Sequence, residues 1–264
     1  MQRIQSGDAE IVYHVLGEGS PVVLLHPFPA NHEFWFPVAN TLAARYRVIL
    51  PDLRGHGDSA AGEGPATMVK HAADIFRVMD DAEVGRAAPL VGVSIGGYAL
   101  FEFWRQHRGR VAALALCNTK APADSPDARA ARLQAANDVI ERGIEPFFES
   151  MVPRLLGKST RELRPDLVEG ALRMMRTMSP EDVAQVQRGM AERPDSVDTL
   201  KTIDVPTLLV TGEEDVLTGV NEGELMRQHI PNAQLRVLPK AGHYSPWEQP
   251  EEAGRVLRQF LDRI

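Results

Sequence analysis

The stretch LVGVSIGGYAL, Leu90 to Leu100, sets one serine among glycines at the end of an apolar run. Leu90–Val93 is short and apolar, as a buried strand is, and the residues from Ile95 onward give a thick apolar face through Tyr98, Phe101 and Trp104, as a helix does. Gly92-Val93-Ser94-Ile95-Gly96 therefore matches G-x-S-x-G where that pattern has physical meaning, directly after a strand and directly before a helix. Such a turn needs close strand–helix approach and a strained backbone at the serine, which β-carbons at the flanks would obstruct. It lifts the hydroxyl out of the sheet, beside the N–H groups of a helix N-terminus. A glycine-rich junction with an incidental serine is the competing reading, and the stretch alone leaves both open.

Outward from Ser94, short apolar strands alternate with helical stretches, the signature of a parallel sheet covered on both faces. AEIVYHVLGEG reads as an early strand, paired as a hairpin with residues 2–5 across Ser6-Gly7-Asp8, and PVVLLHPFP as a buried strand stopped by prolines. A helix near 34–44, the strand YRVILPD and a helix near 66–82 lead to Leu90; a helix over 95–107 and the strand RVAALALCN follow it. Residues 120–200 then carry helical patterns without a strand, between the turn-rich segments TKAPADSPD and ERPDSVDTL. They read as an inserted helical cap, with an independent helical domain as the alternative. Strands at 206–211 and 234–238 resume the rhythm around a helix near 219–230, and an amphipathic helix covers 250–263. The expected fold class is α/β: a mostly parallel central sheet with helices on both faces, residues 1–119 and 201–264 forming the core and 120–200 the cap.

Composition narrows the function. A chain of 264 residues can bury a large core without disulfides, and its single cysteine, Cys117, suits a reducing cytoplasm. No apolar run is long enough to span a bilayer, and the first residues lack the features of a secretory signal. The formal charge of −7 disfavours a nucleic-acid partner. Neither G-x-G-x-x-G nor a phosphate-binding loop occurs, and the histidines show no metal-ligand spacing, so no cofactor and no metal is expected.

A serine hydroxyl is a weak nucleophile at neutral pH and needs a base together with a group that orients that base. His243 lies just after the last strand, in LRVLPKAGHYSPWEQP, and Asp215 lies just after the strand before it, in TLLVTGEEDVLT. Ser94, Asp215 and His243 thus fall in order at the C-terminal ends of three strands, the edge where open parallel sheets bind ligands.

Together with VVLLHPFPANHEFW and VILPDLRGHGDS, these segments resemble an α/β-hydrolase over essentially the whole chain, most nearly the 3-oxoadipate enol-lactonase and small carboxylesterase branch. The resemblance implies Ser94 as nucleophile, His243 as general base and then acid, and Asp215 as the orienting carboxylate, with Glu213 and Glu214 as neighbouring alternatives. It also implies an oxyanion hole from the backbone N–H groups of Phe28 and Ile95. His26-Pro27 stands where the family usually has His-Gly; Phe28 keeps its N–H, and His26 reads as loop packing. Asp52, Arg54 and His56 of DLRGHGDS read as scaffold, with a carboxylate–guanidinium ion pair.

Phe147, Met151, Met174 and Met178 are the tentative substrate-pocket residues, with Phe148 and Met175 beside them, in a compact four-helix-like cap. Arg129 and Arg132 suit either a substrate carboxylate or a solvated helix face. The expected activity is hydrolysis of a small carboxylic ester or lactone through an acyl-enzyme. C–C bond hydrolysis, cofactor-free perhydrolysis and hydroxynitrile cleavage with the same residues, or a small-ligand receptor on the same fold, are the alternatives.

Overall fold

The computed structural model describes residues 1–264. In chain order the elements are β1 (Gln2–Ser6), β2 (Ala9–Leu16), β3 (Ser20–Leu25), α1 (Phe36–Leu42), β4 (Tyr46–Pro51), α2 (Met68–Asp81), β5 (Ala88–Val93), α3 (Ile95–His107) and β6 (Val111–Cys117). Six helices follow: α4 (Pro126–Arg142), α5 (Glu145–Leu155), α6 (Lys158–Leu163), α7 (Pro165–Met175), α8 (Pro180–Ala191) and α9 (Val197–Leu200). The chain closes with β7 (Thr207–Gly212), α10 (Val220–His229), β8 (Gln234–Leu238), α11 (Ser245–Glu248) and α12 (Pro250–Leu261).

All eight strands form one sheet in the order β1-β2-β4-β3-β5-β6-β7-β8. β1 and β2 pair antiparallel, Gln2 opposite Tyr13 and Ser6 opposite Ala9, as the Ser-Gly-Asp hairpin requires. β2 is antiparallel to β4, and every pairing from β4 across to β8 is parallel. Parallel neighbours need helical crossovers, which cover both faces and leave the central strands apolar throughout. Val22 to Leu25 and Leu90 to Val93 are fully buried accordingly.

Between β6 and β7 there is no strand, as expected, but the helices number six, more than the four-helix-like cap expected with the resemblance. Prolines at the starts of α4, α5, α7 and α8 divide the segment into shorter pieces, because each fits a first helical turn and ends any helix before it. A capping box at Ser179 and Asp182 starts α8. The helix expected over 34–44 is also shorter: a 3-10 turn over His32–Trp35, capped by the Asn31 side chain, occupies its beginning. The short α11 was outside the expectation altogether. One apolar cluster of 71 buried residues contains both sheet residues and side chains of α4, α5, α7 and α8.

Candidate active site

The backbone at Ser94 has φ 54° and ψ −112°, outside the regions a residue with a β-carbon adopts freely, and α3 begins at the next residue. Two close approaches hold it there. A β-carbon on Gly92 would lie 2.6 Å from the carbonyl carbon of Gly96, and one on Gly96 would lie 2.8 Å from the backbone oxygen of Leu25 in β3. Thr119 Oγ1 donates to the Ser94 carbonyl at 2.8 Å, anchoring the turn from the end of β6.

His243 and Asp215 meet as the strand-end spacing requires. His243 Nδ1 lies 3.0 Å from Asp215 Oδ2, with both side chains buried. Asp215 Oδ1 accepts from the N–H groups of Leu217 (2.8 Å) and Thr218 (3.0 Å), and its Oδ2 also accepts from Asn118 Nδ2 (2.8 Å) and Thr218 Oγ1 (2.7 Å). Burial alone would raise this carboxyl, but His243, Asn118 and the Thr218 N–H together hold it well below the usual carboxylate range. An ionised carboxylate only accepts, so His243 Nδ1 donates to it, and in the neutral ring Nε2 is the bare nitrogen.

Ser94 and His243 line the same cavity, of about 300 Å³, with Phe28, Tyr98 and Thr218. That volume suits a small molecule. The Ser94 hydroxyl makes no hydrogen bond to His243 or to any other group, a common state for such pairs before substrate binds. The N–H groups of Phe28 and Ile95 donate to no group in the protein. A serine hydroxyl, an unprotonated imidazole nitrogen and two unengaged amide donors are the parts that acyl transfer requires.

The neighbouring candidates have other work. Glu214 accepts from the Ser159 N–H (2.8 Å) and hydroxyl, and Glu213 from the Lys240 N–H (3.1 Å). His26 Nε2 accepts from the Leu53 N–H at 2.9 Å while Nδ1 donates to Pro27 O, so it fastens the loop before Phe28 to the loop after β4. The ion pair expected between Asp52 and Arg54 does not form. Arg54 grips Asp74 through two bonds of 2.9 and 2.8 Å and reaches Asp8 at 2.7 Å, while Asp52 takes His32 Nδ1 (2.9 Å) and the Asp58 N–H (2.9 Å). These residues are scaffold, with different partners.

Of the tentative pocket residues, Phe147 and Met151 of α5 line the cavity. Met174 and Met178 do not: they are buried in the apolar cluster with Phe148 and Met175, Met174 and Met175 because the apolar face of α7 packs inward and Met178 in the turn that follows it. Arg132 lines the cavity, whereas Arg129 bonds the Ala191 carbonyl outside it. Sequence reasoning missed Asn118 and Thr218. Asn118, at φ 41°, is held by Ser245 Oγ, whose hydroxyl donates to its Oδ1 at 2.5 Å. The one signal it offered was a polar residue at the end of an apolar strand.

Residues 20–250 match the alpha/beta hydrolase fold family. The chain belongs to that family. This α/β hydrolase is 27% identical over 248 residues to the 3-oxoadipate enol-lactonase 1 of Acinetobacter baylyi, covering 94% of this chain and 91% of that one. Among solved structures it is similar to a thermophilic esterase from Thermogutta terrifontis, solved with malate bound, at a TM-score of 0.96 and 38% identity over 100% of this chain and 99% of that one. It is also similar to the enol-lactonase from Burkholderia xenovorans LB400, at a TM-score of 0.92 and 25% identity, covering 99% and 100% of the two chains. The hydrolase thus falls among esterases and lactonases. None of its helices is long and apolar enough to cross a membrane.

Proposed function

We propose that this hydrolase cleaves a small carboxylic ester or lactone through an acyl-enzyme on Ser94, with residues 120–200 acting as a cap over a core of residues 1–119 and 201–264. The observation that carries the proposal is the shared cavity: Ser94, on its strained turn, and His243, with Nδ1 held by Asp215, open onto the same 300 Å³.

His243 Nε2 takes the Ser94 proton as Oγ attacks the carbonyl carbon. The carbonyl oxygen becomes an oxyanion that accepts from the Phe28 and Ile95 N–H groups, a pair of donors each worth about 3 kcal/mol of barrier in such sites. Asp215 stabilises the imidazolium. Collapse breaks the ester bond, and the leaving oxygen takes its proton from His243. In a lactone that oxygen stays tethered to the acyl chain. Water then attacks the acyl carbon, with Nε2 as its base, and the second collapse returns the proton to Ser94. Phe147 and Met151 form the apolar wall against which the acyl or alcohol part packs.

Turnover of p-nitrophenyl acetate tests this. His243→Ala lowers kcat/KM by about a thousandfold or more. Activity within tenfold of the unaltered enzyme would assign the base to another residue.

A further inference from the structure

The hydrolase carries a formal charge of −7, yet the wall of its cavity is positive. Lys120, Arg132 and Arg154 line it against one carboxylate, Asp124; the other titratable groups there are Tyr98 and His243. The cations come from three places: the loop after β6, the first half of α4, and the end of α5. Cations that only solvate a surface have no reason to converge on one small concave site whose floor carries Ser94 and His243.

Asp124 does not exhaust them. Arg132 Nε bonds Asp124 Oδ2 at 2.5 Å and Nη1 reaches Gln187 at 3.3 Å, which leaves Nη2 without a partner. Lys120 Nζ stands 3.5 Å from Asp124, beyond a strong hydrogen bond, and the same carboxylate is also taken at 2.9 Å by Arg193, which stacks on the Tyr98 ring. Arg154, an exposed residue at the rim, has neither hydrogen bond nor ion pair within the protein. Asp124 also shows which ligand these groups suit, since the guanidinium groups of Arg132 and Arg193 already hold a carboxylate there.

We propose that Lys120, Arg132 and Arg154 form an anion subsite on the cap side of the cavity, and that the substrate is an ester or lactone carrying a free carboxylate beyond the scissile bond. This rests on the ester or lactone reading above. The scissile carbonyl lies at Ser94 on the floor while the remote carboxylate lies against the cap, so the subsite orients the acyl or alcohol chain across the cavity. Binding energy from that remote contact positions the reacting carbonyl.

Two measurements test it separately from the chemistry. Calorimetry on the Ser94→Ala protein compares monomethyl adipate with methyl hexanoate, a charged and a neutral ester of similar length. The anionic ester is expected to bind about tenfold more tightly, with the margin shrinking as sodium chloride is raised. Arg132→Gln and Arg154→Gln each remove most of that margin and leave the neutral ester within about twofold. With the active enzyme, the same two substitutions raise KM for monomethyl adipate more than they lower kcat. Equal binding of the two esters, or an equal loss for both in the variants, overturns the subsite. Since binding is read without Ser94, a catalytic failure of the triad does not disturb this result, and a failed subsite leaves neutral-ester turnover intact.

Discussion

At the scale of single residues, Asp215 illustrates how a buried charge is held. Five donors converge on its two oxygens, and only one of them belongs to His243. Thr218 contributes twice, from its N–H and from its hydroxyl, and the hydroxyl also lies 3.2 Å from His243 Nδ1. Because the Thr218 proton goes to Asp215, this oxygen accepts part of the His243 N–H and steadies the ring. Thr218→Val keeps the shape and the N–H but removes both contacts. We expect kcat for p-nitrophenyl acetate to fall about tenfold, as loss of one such hydrogen bond costs about 1–1.5 kcal/mol, with KM changed by less than about threefold. A change confined to KM would place Thr218 in substrate binding instead. The sequence offered Ser94, Asp215 and His243 because their strand-end positions can be counted along the chain. Thr218 and Asn118 were hidden because their roles are contacts: Asn118 meets Asp215 across 97 residues, and no periodicity encodes that distance.

At the scale of elements, the Ser94 turn depends on how closely α3 lies on β3 and β5. Gly96 faces the Leu25 backbone with no space for a methyl group, so Gly96→Ala must push the strand and helix apart. Such overpacking costs about 1–3 kcal/mol, and it also displaces the turn that carries Ser94. Denaturant unfolding should show that loss together with a fall in esterase activity. Gly85→Ala, where nothing stands within 4 Å, should stay within about 0.5 kcal/mol and keep full activity. Equal behaviour of the two variants would contradict the close-packing account of the turn. The element sequence was readable for the same reason that the fold is stable: parallel strands buried on both faces are uniformly apolar, and the helices between them are periodic. Helix periodicity was less informative about α7. It identifies an apolar face but not what that face meets, so Met174 and Met178 looked like pocket residues and are core. Arg54 misled in a related way, since its partners Asp74 and Asp8 come from α2 and the β1–β2 turn rather than from its own loop.

At the scale of the whole molecule, three buried histidines make stability depend on acid. Burial, with the neighbouring His56, pushes His26 down to about 3; burial pushes His56 down to about 4; and burial holds His71 well below its ordinary value. Neither ring nitrogen of His71 has a partner. Unfolding exposes all three, so between their folded values and about 6.5 the unfolded chain binds protons that the folded chain does not. Stability is therefore full above about pH 6.5 and falls as the pH drops below it, by up to about 1.4 kcal/mol per pH unit for each histidine. The melting temperature should fall steeply from pH 7.5 to pH 5.0, and His71→Leu should lose less over that interval than the unaltered enzyme. Parallel curves would remove His71 from this account. The cavity and the cations that line it gain their meaning from Ser94, so the most direct test of the whole is covalent. The hydrolase is treated with a fluorophosphonate and the modified peptide is sequenced by mass spectrometry. The account predicts one adduct, on Ser94, absent in Ser94→Ala and slowed by about a hundredfold or more in His243→Ala; a protein that stays unlabelled, or a Ser94→Ala variant labelled as fast as the unaltered enzyme, contradicts it.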